Sequence, residues 1–239
     1  HFNVRVAVGE ASVMLVTDHS GSMAATDVQP TRLAAAESAA NKFIDELPGT
    51  ARVGAIAFSG SSDAAQGPAT NKAAARAVID HQQANGATAT GDALELALQL
   101  LHSGDAKHPP SAIILLSDGS ANAGTSALTV ARQAGYQRIP IYTVALGTPD
   151  GTLPNPDPFG PPLAVPPDPQ LMRAIARASG GRTFNAQSAG QLISIYKTLG
   201  KQLGTVSHKR EVTAAFAAGG LVLLLLAAAG SVRWSGRLP

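Results

Sequence analysis

The sequence predicts a doubly wound α/β domain, a mostly parallel central sheet with helices on both faces, followed by one C-terminal transmembrane helix. Three observations predict it. Short, continuously apolar runs of strand length alternate with longer segments whose apolar residues recur at helical spacing, the pattern of a parallel sheet buried on both faces. Residues 212–232, VTAAFAAGGLVLLLLAAAGSV, carry no charge over about twenty residues, the length of a helix that crosses a bilayer. The small polar residues that punctuate the pattern gather directly after apolar runs, at the strand ends where such sheets bind ligands.

The elements follow in order. Residues 12–17 (SVMLVT) read as a short buried strand. Residues 30–47 read as a helix with Leu33, Ala36, Ala40, Phe43, Ile44 and Leu47 on one face and Pro30 in its first turn. A strand at 52–58 (RVGAIAF) precedes helices at 71–82 and 91–102. Residues 111–117 (SAIILLS) form the strongest central strand, followed by a helix at 126–135 that ends at Gly135. A strand at 138–146, a long Pro- and Gly-rich loop at 147–169, and a helix at 168–181 with a Gly-Gly stop come next. A short strand, RTFNA, and a last helix at 189–204 complete the domain.

The organisation is therefore a lead-in at 1–10, the α/β domain at 11–206, a linker at 207–211, the membrane span at 212–232 and a tail at 233–239. Lys209, Arg210 and Glu211 precede the span, and Arg233 and Arg237 follow it, with Trp234 at an interfacial position. The composition agrees: 45% of residues are hydrophobic and only 14% charged, low for a wholly soluble domain. Net charge is +2, but Lys and Arg are scattered and form no basic stripe with interleaved aromatics, which argues against nucleic acid as a partner. The chain has no cysteine, so disulfides, thiolate metal sites and cysteine nucleophiles are excluded. It begins at His1, as a fragment or a processed product would, and no signal peptide is evident at the start.

The stretch 16–23, VTDHSGSM, places Asp18, Ser20 and Ser22 at alternate positions directly after the first strand. Three such side chains could hold a hard cation, prime a phosphoryl reaction or cap a helix. Two further loops at strand ends add to the set. NGATATGDAL offers Thr88, Thr90 and Asp92, and the loop after SAIILLS offers Asp118. Carboxylates and hydroxyls without histidine suit Mg²⁺, which prefers oxygen ligands and keeps several waters. Hydroxyls add no charge, so such an ion stays electron-poor, and a carboxylate from a partner could complete its coordination.

These residues carry a family resemblance over about residues 10 to 204. DHSGS resembles the D-x-S-x-S of von Willebrand factor type A (VWA) domains, TATGDAL their threonine loop and LLSDG their second aspartate loop. The resemblance implies a Rossmann-like VWA fold and a metal-ion-dependent adhesion site. By position, Asp18, Ser20, Ser22, Thr88 and Asp118 would be its five members. Ser20 and Ser22 would contact Mg²⁺ directly, with Thr88 in the ligand-engaged form, and Asp18 and Asp118 would act directly or through water. Mn²⁺ and Ca²⁺ are the alternative ions. His19 is a less usual occupant of the variable position.

A closer likeness lies in ATDVQPTRLAAA, TATGDALELAL, the Pro-rich loop, GGRTFNA and the terminal span. Together they resemble Bat-type (aerotolerance operon) VWA membrane proteins, especially actinobacterial forms. That resemblance implies a bacterial cell-membrane protein that works with MoxR-type AAA+ ATPases and other membrane proteins in assembly or stress tolerance. Bat-type proteins usually have two spans before the VWA domain. Their absence here fits a fragment, and with them the domain would face the cytoplasm.

Other readings set the contrast. A metal-dependent phosphohydrolase would need a second carboxylate two residues after Asp18, where this chain has Ser20, and no Lys obviously serves the loop. A structural membrane protein with a vestigial site would keep the fold but not the metal dependence. Asp27 is expected to order the turn before Pro30, and Asp92 to favour the start of a helix. Thr88 is preferred to Thr90 as the ligand from motif alignment. His81, His102 and His108 show no ligand spacing and are expected to be packed or solvent-facing. No phosphate loop with Gly-Lys-Ser/Thr is present, so nucleotide binding is unsupported.

Overall fold

A computed structural model describes residues 12–203, apart from 81, 104–109 and 120 and the side chains of 200–203. The described residues fall within one compact unit. The expected lead-in, linker, membrane span and tail lie outside them, and among the described residues no helix is long and apolar enough to cross a membrane.

Six strands form the central sheet: β1 (Ser12–Asp18), β2 (Arg52–Phe58), β3 (Ser62–Ala69), β4 (Ser111–Ser117), β5 (Ile141–Leu146) and β8 (Thr183–Ala186), in the order β3-β2-β1-β4-β5-β8. All neighbours are parallel except β2 and β3. Six helices cover the sheet: α1 (Arg32–Glu46), α2 (Lys72–Ile79), α3 (Thr90–His102), α4 (Ala127–Tyr136), α5 (Pro169–Ser179) and α6 (Ala189–Leu203). The doubly wound α/β class expected from the sequence is the observed one.

The period of two along a strand divides the core. On β1, Val13 and Leu15 join Ala36, Phe43, Ile79 and Tyr196 in one cluster, while Met14 and Val16 join Leu94, Val130 and Ile175 in another. Strand β4 alternates in the same way, with Ile114 and Leu116 on the first face and Ile113 and Leu115 on the second. Both faces of the central strands are thus dry, which is why these strands read as unbroken apolar runs. Tyr196 of α6 meets Phe43 of α1 edge-on at 5.4 Å, closing the first layer.

The structure corrects three details. Pro30 is not in the first turn of α1: the helix starts at Arg32, and Thr31 is its N-cap, accepting a hydrogen bond from Ala34 N at 3.1 Å. Gly135 does not end α4, which continues to Tyr136. Its hydrogen side chain instead admits α5, because a Cβ there would lie 2.6 Å from the Ala178 carbonyl oxygen. Strand β3 was not expected. It is an antiparallel edge strand with register shifts, and its sequence SDAAQGPA has no apolar alternation because little of it is buried. Within the 147–169 loop lies a small two-stranded ribbon, β6 (Thr152–Leu153) with β7 (Leu163–Ala164).

Gly91, in the first turn of α3, sits where a Cβ would fall 1.9 Å from the Thr125 carbonyl oxygen. Alanine would add helix propensity worth about 1 kcal/mol. Overpacking against backbone costs about 1–3 kcal/mol, so Gly91→Ala should be net destabilising. Urea unfolding checks this, and a variant more stable than the wild type would refute it.

Candidate functional site

Strand β1 has its sequence successor β2 on one side and β4 on the other, so the chain reverses direction across the sheet at β1. Open α/β sheets bind ligands at such a switch point, beyond the carboxyl ends of the strands. Asp18 is the last residue of β1, and Asp118 directly follows β4. Both are fully buried.

The loops hold these carboxylates in place. Asp18 accepts hydrogen bonds from Ser20 N at 2.8 Å on Oδ1 and from Ser117 Oγ at 2.5 Å on Oδ2. Ser117 Oγ in turn accepts from Gly119 N at 2.9 Å. A one-turn 3-10 helix at Gly21–Ala24 follows the first loop, and Ser20 Oγ and Ser22 Oγ lie 3.2 Å apart. The second loop is clasped to both others. Gly21 N donates to Gly86 O at 3.2 Å, Thr88 N to Asn122 Oδ1 at 2.9 Å, and Asn122 N to Thr88 O at 3.1 Å. Asp18, Ser20 and Ser22 therefore share one turn, Asp118 lies on the neighbouring strand end, and Thr88 is buried in the loop that binds both flanking loops.

Burial pushes the Asp18 carboxyl up to about 6, and the nearby Asp118 carboxylate adds to the rise against the opposing bonds from Ser117 and Ser20. A concentration of negative charge in a dry site favours a cation. The donor set is hard oxygen throughout. Two ligands at adjacent corners of a Mg²⁺ octahedron are about 3.0 Å apart, close to the Ser20–Ser22 oxygen separation. Thr90 Oγ1, two residues beyond Thr88, is buried without a hydrogen-bond partner among the described residues. These residues fit a hard divalent ion. Among the described residues no three acidic, histidine or cysteine side chains converge, so hydroxyls and water would have to supply the remaining ligands of any such ion.

The residues assigned structural roles keep them. Asp92 accepts from Thr125 N at 2.8 Å, and that bond holds its carboxyl below the ordinary range. His102 Nδ1 donates to Leu98 O at 2.6 Å. His81 and His108 lie outside the described residues. Each ring nitrogen of buried His19 faces an acceptor, Gln83 O at 2.9 Å and Asp63 Oδ2 at 2.8 Å, which ties the first loop to β3.

Two functional neighbours escaped the sequence reading. Ser117 reads as the end of a strand, yet it positions Asp18. Arg32, fully buried, donates from Nη1 to Asp118 Oδ2 at 3.1 Å and forks onto Asp27 with two bonds of 2.8 Å. Asp27 is therefore an ion-pair partner rather than only a turn residue. Burial raises its carboxyl, but the bonds from Arg32 and Thr148 outweigh this and hold it below the ordinary value. One signal could have exposed the pair. A cation in the first turn of a helix opposes the macrodipole, so Arg32 needs a carboxylate close by.

Comparison with known proteins agrees with the architecture. Residues 13–120 match the von Willebrand factor type A domain family. The chain is 38% identical to a UPF0353 protein of Mycolicibacterium paratuberculosis, over 99% of this chain and 73% of that protein. A UPF0353 protein of Mycobacterium tuberculosis is 36% identical over the same shares. Among solved structures, BatB of Bacteroides thetaiotaomicron superposes with a TM-score of 0.69 at 24% identity, over 81% of this chain and 97% of that one. An aerotolerance-related membrane protein of Bacteroides fragilis gives 0.70 at 24% identity, over 81% and 98%.

Proposed function

The chain belongs to the UPF0353 family and carries a VWA domain, and on that premise we propose that it is a membrane-anchored binding module that captures protein partners through a Mg²⁺-dependent adhesion site. The observation that carries this reading is the pair of buried carboxylates, Asp18 and Asp118, at the ends of adjacent parallel strands, with the Ser20 and Ser22 hydroxyls on the same turn as Asp18. Ser20, Ser22 and Thr88 would hold the ion, with Asp18 and Asp118 as direct or water-mediated ligands. When bound, the ion would act as an electrophilic anchor for a Glu or Asp side chain of the partner. The protein's own part is to orient the hydroxyls, keep Asp18 dry and limit the anionic ligands to two. Mn²⁺ and Ca²⁺ are alternative occupants.

Residues 212–232 would tether the domain to a bacterial cell membrane, with the VWA domain on the cytoplasmic side. The Bat-type resemblance of the sequence implies a partner among MoxR-type AAA+ ATPases and their associated membrane proteins, while the likeness to BatB and to the aerotolerance-related protein supports the shared fold. An enzymatic role is not favoured, since a hydroxyl, Ser20, stands where a phosphohydrolase of this kind would need its second carboxylate.

The test uses the full chain in detergent. Millimolar Mg²⁺ or Mn²⁺ should raise its melting temperature, and a MoxR-type ATPase should be retained on the immobilised wild type. Asp118→Ala and chelator should abolish both effects while circular dichroism stays unchanged. Retention that ignores both the variant and the chelator would count decisively against the adhesion site.

A further inference from the structure

Arg32 sits between Asp118 and the long loop that follows β5. Four of the five guanidinium N–H donors are engaged: Nε and one Nη2 hydrogen with Asp27, Nη1 with Asp118 Oδ2, and the other Nη2 hydrogen with the Val165 carbonyl oxygen at 2.9 Å. Asp27 reaches the same loop, because its Oδ2 accepts from Thr148 N at 2.6 Å and from Thr148 Oγ1 at 3.1 Å. The loop's far end returns to the site directly, with Asp168 N donating to Asp118 O at 2.6 Å. Segment 147–168 is thus fastened at its start, near its end and at its last residue to a single buried cluster that includes Asp118.

The loop's glycines fit around the guanidinium. A Cβ on Gly147 would lie 2.6 Å from Arg32 Cζ, and one on Gly151 would lie 2.1 Å from Arg32 Nη2. Only chain without side chains at these two positions can close over the cation while its carbonyls and amides reach the polar groups. The Asp118 contact and the Val165 contact leave the same rigid, planar group in different directions, so a shift of one end must shift the other.

We propose that Arg32 is a positioning residue that couples cation occupancy at Asp118 to the order of loop 147–168. This rests on the adhesion-site reading above and adds the route by which the site is regulated. Coupling is reciprocal: a loop held on Arg32 strengthens cation binding, and a bound cation strengthens the hold on the loop by the same factor.

The experiment compares the full-length wild type in detergent with Arg32→Lys and Gly151→Ala, using Mn²⁺ as the probe. Both variants keep the cationic charge, so altered affinity reports geometry rather than a changed local charge. Gly151→Ala touches none of the candidate ligands, yet its methyl must displace either the loop or the Arg32 guanidinium beneath it, and so disturb the contact between them. Calorimetry should show Mn²⁺ bound about fivefold or more weakly by both variants. Hydrogen exchange of peptides within 147–168 should slow on Mn²⁺ addition in the wild type and respond less in either variant. If Arg32→Lys fails to fold, Gly151→Ala alone decides. Wild type that binds no Mn²⁺ overturns the adhesion-site reading and this coupling with it. Mn²⁺ binding within twofold of wild type in the folded variants, with loop exchange indifferent to Mn²⁺, overturns the coupling alone.

Discussion

Asp18→Asn should make the metal-free protein more stable at pH 7.5 while abolishing its stabilisation by Mg²⁺ or Mn²⁺. The reason is the carboxyl's value of about 6 in the folded protein against 3.8 when free. An acid whose folded value is raised contributes stability that is fully present below the unfolded value and is lost as pH rises through the folded one. Two units correspond to about 3 kcal/mol, so above pH 7 the ionised Asp18 burdens the fold by an amount of that order. Asparagine has the same shape and can keep the bond from Ser20 N without the charge. In chelator, the variant should melt several degrees above the wild type at pH 7.5, and the difference should vanish near pH 4. With Mg²⁺ the order should reverse, because only the wild type gains from the ion. A variant less stable than the wild type in chelator at pH 7.5 would show that the charge is not the dominant cost.

Arg32→Met should produce the largest loss of stability among the substitutions considered. Removing one partner of a buried ion pair leaves uncompensated charge inside and costs about 3–5 kcal/mol. Here the loss leaves Asp27 and the fully buried Asp118 without the guanidinium that bonds to both. Adding Asp27→Asn should recover part of the loss, giving a coupling energy above about 1 kcal/mol in a double-mutant cycle. Urea unfolding at pH 7.5 provides all four values. A loss below 1 kcal/mol for Arg32→Met, or strict additivity, would mean that the cluster is not held by its charges.

The degree to which this was legible in the sequence follows the physics of each part. Central strands such as SAIILLS are dry on both faces, and the burial that makes them apolar also makes them readable. The loop residues Asp18 and Asp118 were readable because they interrupt such runs abruptly. Strand β3 was not readable, because backbone pairing with β2 defines it rather than side-chain burial. Gly135 misled because a glycine that stops a helix and one that lets a neighbouring helix approach look alike in one dimension. Arg32 was hidden by distance along the chain, since its ties to Asp118 and Val165 span 86 and 133 residues. No local spacing rule reaches that far.

The margins of the sheet carry a consequence for recognition. On one side lies β3, with Pro68 in its sequence and an irregular register, and on the other lies β8, only four residues long. Proline and irregular pairing blunt one border, and shortness blunts the other, so neither offers a template along which a foreign backbone could zip. On the proposed reading, a visiting protein would be met end-on, by side chains at the tips of β1 and β4. Recognition of that kind is decided by a few atoms of the visitor rather than by its capacity to become a strand. Extended peptides without a suitably placed acidic group should be ignored however readily they pair with sheets elsewhere.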